Sequence, residues 1–136
     1  MSASAPEVED ALAAVAAHVR GLRGVFVSDR DGVPILCHST LQPSQSPGKK
    51  SSAQTAPLDG AFALSADQIS RLQLGECETM CGLYDDGIVM HVNAYPLVLT
   101  LVGDSDSDAE EILALAPRIQ AVLAPLQETI ARSISE

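Results

Sequence analysis

The chain contains no tryptophan, and its only aromatics are two Phe and two Tyr among 136 residues. A core without large rings has to be filled by Val, Leu, Ile and Ala. Basic residues are also scarce: 8 Lys and Arg stand against 18 Asp and Glu, a net charge of −10. Nucleic acid and anionic lipid head groups are polyanions, so this balance argues against binding either directly. Lys49–Lys50 is the only adjacent basic pair. The three Cys form an odd set without a close CxxC pair, which suits a reducing cytosol rather than a disulfide framework. There is no basic-then-apolar leader pattern, and no apolar run nears the roughly 20 residues that span a bilayer. A cytosolic protein is expected, with any membrane address lent by a partner. The length suits one domain spanning residues 1–136.

What is present is organised around Leu97–Val102, Leu-Val-Leu-Thr-Leu-Val. Side chains alternate between the two faces of a strand, so this run is apolar on both and belongs in the middle of a covered sheet. Around it, Val8, Leu12, Val15, Val19 and Leu22 form the stripe of a helix over Pro6–Arg20, with Ser4 and Glu7 spaced as a capping box. Val25–Ser28 and Val33–His38 read as a hairpin closed by Asp29-Arg30-Asp31-Gly32, and Pro34 sends its second strand to a sheet edge. Residues 39–57, rich in Ser, Gln and Pro, bury too little to offset ordering entropy and are expected to be a mobile loop.

The second helix is expected over Leu58–Leu74, with Leu58, Phe62, Ile69 and Leu72 facing inward. Leu64, Gln68 and Arg71 cluster about 100° away from that stripe, the pattern of a partner-facing rim. Glu76–Tyr84, Ile88–Ala94 and Leu97–Val102 then form a meander, turning at Asp85-Asp86-Gly87. Polar residues interleave the first of these strands, which places it toward the outside with its backbone open to another chain. Ser107 with Glu110 is spaced as a capping box for a last helix striped by Ile112, Leu115, Ile119, Val122, Leu126 and Ile130. Pro117 and Pro125 each cost about 3 kcal/mol in an unbroken helix interior, so a kink or break is expected near Pro117. The order is α-β-β-α-β-β-β-α, an α+β arrangement.

No constellation carries catalysis. Cys77 and Cys81 on one strand face would lie about 13 Å apart, too far to share a metal or a bridge, and read as small buried hydrophobes. His91 approaches one of them at most, which is no metal site. His18, His38 and His91 are scattered, and no nucleophile elbow or phosphate-cradling glycine loop occurs. Asp29/Asp31 and Asp85/Asp86 read as turn carboxylates that accept backbone N–H groups. No enzyme, cofactor or metal is expected.

Several stretches resemble a known family. Gly21-Leu22 followed by Val27-Ser28-Asp29-Arg30-Asp31-Gly32-Val33-Pro34 is similar to the first hairpin of the MEK-binding scaffold subunits of Ragulator complexes, which are adaptors of the roadblock fold. Phe62 to Gln68, continuing through Arg71-Leu72 to Leu74-Gly75, and Tyr95-Pro96-Leu97-Val98 extend the likeness in the same order. The resemblance implies a five-stranded antiparallel sheet in the order 2-1-5-4-3, with the middle helix on one face and the terminal helices on the other. It also implies a heterodimer with a second roadblock subunit, paired along the backbone of Thr79, Met80, Cys81, Gly82 and Leu83, with Leu64, Gln68 and Arg71 as helix contacts. A lipid-anchored Ragulator subunit would then hold the assembly on late endosomes and lysosomes. There it would present MEK and ERK kinases and dock Rag GTPases for activation of mTOR complex one. Where the family carries basic residues ahead of the third strand, this chain has Glu76-Cys77-Glu78. Two other readings stand beside this one: a profilin- or longin-like module, of similar layering, acting on a GTPase or sensing a small ligand, and a redox sensor built on Cys77 or Cys81.

Overall fold

The computed structural model describes residues 5–31, 33–39 and 61–135. The expected loop at 39–57, the Ser4 cap and Gly32 of the first hairpin lie outside these residues, save Ser39, which closes a strand. Helix α1 (Ala5–Ala16) stops four residues short of Arg20. His18 N–H donates to Val15 O and Val19 N–H to Ala16 O, i→i−3 bonds that tighten the last turn. Gly21, at φ +83°, then redirects the chain, and a side chain there would collide with Asp104.

Strands β1 (Leu22–Asp29) and β2 (Pro34–Ser39) form the first hairpin. Asp29 is the turn carboxylate: its Oδ1 accepts from the N–H groups of Asp31 and Val33, each at 2.9 Å. Helix α2 (Ala61–Ile69) runs into a 3₁₀ turn at Ser70–Leu72. Strands β3 (Thr79–Tyr84), β4 (Gly87–Ala94) and β5 (Leu97–Asp104) make the meander. The sheet is antiparallel in the order β2-β1-β5-β4-β3. This is the expected topology, with β5 in the centre and Pro34 at one edge.

From Leu97 to Leu101, β5 is fully buried. Leu97, Leu99 and Leu101 join Val25, Val27, Met90 and Val92 in a core packed under α1 and the last helix, α3 (Ala109–Ser135). Val98 and Thr100 are buried on the opposite face, beside Ser28 and His91. On that side Ala66, Asp67 and Ser70 of the α2 region meet Asn93 across a small cavity. The Ser28 and Thr100 hydroxyls have no hydrogen-bond partner among the described residues.

Helix α3 does not break at Pro117; it runs through both prolines as one 27-residue helix. Each ring removes one N–H, and the carbonyls released belong to Leu113 and Ala121, both on the exposed face. Ile112, Leu115, Ile119 and Leu123 are at most 3% exposed on both sides of Pro117. At about 1.5–3 kcal/mol per buried side chain, the stripe outweighs the cost of the prolines. The cap also differs from the expected Ser107–Glu110 box. Asp108 Oδ1 accepts from Glu110 N–H at 2.9 Å, while the Ser107 hydroxyl donates back to Asp104 O at 2.6 Å. Gln120 donates to Asn93 O, and Gln127 to the carbonyls of Ala94 and Tyr95, so α3 clasps the turn at the cis Tyr95–Pro96 peptide.

At the far end of β5, Asp104 meets Arg23 of β1, Oδ2 to Nη2 at 2.6 Å and to Nε at 2.8 Å. Desolvation pushes the Asp104 carboxyl up, but the Arg23 hydrogen bond, the Asp106 amide, the Arg23 charge and a hydrogen bond with Ser107 outweigh it. Its pKa falls below the ordinary 3.8. A lowered folded pKa stabilises above the unfolded value and is lost as pH falls through the folded one. Asp104→Asn is therefore expected to lower the urea midpoint at pH 7, with the difference from the parent shrinking as pH falls below the ordinary carboxylate range. Leu99→Ala is expected to cost about 2–5 kcal/mol in the same assay, because the cavity lies where no neighbour can collapse into it.

Candidate partner interface

The two sheet edges differ. On β2, Pro34 lacks an N–H to offer and Ser28 is displaced from regular register opposite it. β3 carries six uncharged residues, Thr-Met-Cys-Gly-Leu-Tyr, and pairs with β4 on one side. Among the described residues nothing pairs with its other side. Opposite residues share a face, so the register Met80↔His91, Gly82↔Val89 and Tyr84↔Gly87 puts these three on the α2 side of the sheet. Thr79, Cys81 and Leu83 lie on the side of α1 and α3. The Tyr84 ring covers Gly82, where an added Cβ would come within 2.9 Å of it.

The approach to this edge is fastened from β4. Asn93 N–H donates to Glu78 O at 2.8 Å, and its side-chain amide donates to Cys77 O at 3.2 Å. Its Oδ1 accepts from Tyr95 N–H. β3 thus begins at Thr79 rather than at Glu76, with pairing carried one residue further back by Asn93.

Each expected site residue has a definite place. Leu64 is 68% exposed on α2, and Gln68 and Arg71 are exposed beside it. Leu83 is 71% exposed at the sheet edge, Cys81 is exposed, and Thr79, Met80 and Gly82 are half-buried. The helix rim and the strand edge are thus both accessible to another chain. Three residues not foreseen as partner-facing join them: Leu72 at 64%, Leu74 at 85% and Tyr84 at 63% exposed. Leu72 and Ile69 were expected inward. The helical wheel fails there because the chain tightens to three residues per turn after Ile69 and then leaves through Gln73 in the left-handed region. The Gly75 that follows the two leucines is the signal that marks this exit.

The cysteines also depart from expectation. Cys81, on the outer strand, is exposed, and Cys77, ahead of it, is only partly buried. Cys77 precedes the strand, and Cys81 points to the face opposite His91. No group of three His, Cys, Asp or Glu gathers among the described residues. His18 hydrogen-bonds Ala14 O, His38 lies on β2 and His91 on β4, far apart in the topology.

A family model described as mitogen-activated protein kinase kinase 1 interacting matches residues 6–130. The chain belongs to that family. Among relatives of this family member, the Ragulator complex protein LAMTOR3 homolog of Drosophila melanogaster is 31% identical over 119 residues, covering 82% of this chain and 86% of the fly protein. Ragulator complex protein LAMTOR3 of Rattus norvegicus is also 31% identical over 119 residues, covering 85% and 86%. Among solved structures, the gliding protein MglB of Thermus thermophilus superposes with a TM-score of 0.73 at 16% identity, covering 95% of both chains. A roadblock/LC7 domain from Streptomyces avermitilis gives 0.61 at 15% identity, over 94% of this chain and 98% of that one. The family and the roadblock fold agree with the resemblance seen in the hairpin and helix motifs. No helix among the described residues is long and apolar enough to cross a membrane.

Asn93→Ala removes one side-chain hydrogen bond from the approach to β3, to Cys77 O, and one from the β4–β5 turn, from Tyr95 N–H. At about 1 kcal/mol each, a loss of about 2 kcal/mol is expected, with faster amide exchange confined to residues 77–80 and 95.

Proposed function

We propose that this family member is a non-catalytic adaptor of one domain, acting as a subunit of a Ragulator-type complex. It pairs with a second roadblock subunit through the outer edge of β3 and the outward face of α2. Adding a strand to that edge supplies backbone hydrogen bonds, and Leu64, Gln68, Arg71 and the side chains of Thr79–Leu83 supply selectivity. A lipid-anchored subunit brings the assembly to late endosomes and lysosomes. There the complex supports MEK and ERK signalling and docks Rag GTPases that activate mTOR complex one.

One observation carries this reading: a six-residue outer strand without an internal charge or proline follows Glu76 and Cys77, which share a cavity with Ala66, Asp67 and Ser70 of the helix region whose Leu64 is 68% exposed. Edges of that kind are ordinarily blocked by lysine, proline or a covering loop. The names of the relatives support the complex, and the name of the family supports the kinase.

Co-expression with a roadblock subunit from the same source is expected to yield a 1:1 complex by size exclusion and light scattering. Leu64→Arg should weaken it by at least about tenfold, since a charge would be buried without a counterpart. Only monomer at micromolar concentration would refute the reading.

A further inference from the structure

The open strand is bracketed by carboxylates. Glu76 and Glu78 precede it, Asp85 and Asp86 follow it, and all four are exposed. Arg71 is the only Lys or Arg between residues 61 and 104. The bracket matters most when this edge meets a copy of itself. Two copies joined edge to edge about a twofold axis pair antiparallel, so the front of one strand lies beside the end of the other.

Opposite residues share a face, so each position pairs with one an even number of residues away, and the two registers nearest full overlap centre on Cys81 and on Gly82. Centred on Gly82, the pairing sets Glu78 level with Asp86. Centred on Cys81, it sets Glu76 level with Asp86. Symmetry repeats each clash at the other end. Neither register escapes, because Glu76 and Glu78 both lie an even number of positions from Asp86. Asp85 and Asp86 form the turn that follows the strand, so each end of the paired edge gathers like charges side by side, where they oppose association.

The geometry points to an edge built against its own copy and toward a partner strand flanked at both ends by Lys or Arg. The uncharged middle of β3 provides the adhesion, and the acidic ends select which chain receives it. This rests on the proposed pairing through β3 and adds the chemistry of the partner.

The test uses the full chain in three forms: the parent, a neutral form (Glu76→Gln, Glu78→Gln, Asp85→Asn, Asp86→Asn) and a reversed form with Lys at the same four positions. Association is read by sedimentation equilibrium, and the surface used by amide exchange of residues 79–84. Thermal unfolding of the neutral form, expected to match the parent, shows that the fold is intact. The neutral form should self-associate about tenfold more tightly than the parent. Parent mixed with reversed form should give a 1:1 dimer tighter than either makes alone. That advantage should shrink in about 1 M salt, where the Debye length is about 3 Å. Protection of 79–84 should appear in the dimers and not in the parent alone. If the parent protects β3 as strongly as the neutral form or the mixture does, the edge pairs but the charges do not select, and this inference falls alone. If β3 stays unprotected in every sample, while the complex with a roadblock subunit protects it, the inference again falls alone. If that complex leaves it unprotected too, the pairing reading falls with it.

Discussion

Burial of β5 on both faces is the constraint from which the rest follows. Five consecutive residues, Leu97 to Leu101, have no access to solvent, so the strand needs a neighbour on each side and a layer above and below. β1 and β4 become those neighbours, which leaves the two remaining strands outermost. The packed layer comes from α1 and α3, whose leucines and isoleucines meet Leu97, Leu99 and Leu101. On the other face Val98 and Thr100 are equally buried, and Ala66, Asp67 and Ser70 of the α2 region lie on that side across a cavity from Asn93.

The same demand explains why α3 tolerates two prolines. A helix held by a continuous apolar stripe keeps its axis where the sheet requires it, and the lost hydrogen bonds fall on the solvent side. Glutamines on its half-buried flank then reach the turn between β4 and β5, and Asn93 in that hairpin fastens the approach to β3. A chain of contacts thus runs from the core helix to the outer strand. It holds the edge in place, and no described strand pairs with its outer side.

Much of this was legible in the residues. Pro34 announces an edge, Asp29 a turn carboxylate, and the alternating polar residues around Glu76–Tyr84 an outer strand, because each reports a local backbone requirement. The candidate rim was legible in part: Leu64, Gln68 and Arg71 lie outward, but Leu72 joins them because a 3₁₀ turn changes the angle per residue. Cys81 looked like a small core residue, since cysteine composition does not reveal whether a layer covers the strand that bears it.

The sequence by itself determined the order of elements, the two-sided central strand and the identity of the open edge, all consequences of periodicity and of where a proline or a charge can sit. Tertiary structure decided the continuity of α3, the cap at Asp108, the anchoring of Cys77 and Glu78 by Asn93, and the exposure of Leu72, Leu74 and Cys81. These depend on what lies opposite each group in space. A helix crosses a proline, and a leucine faces water, according to the surface packed against them, and that surface is built from residues far away in the chain.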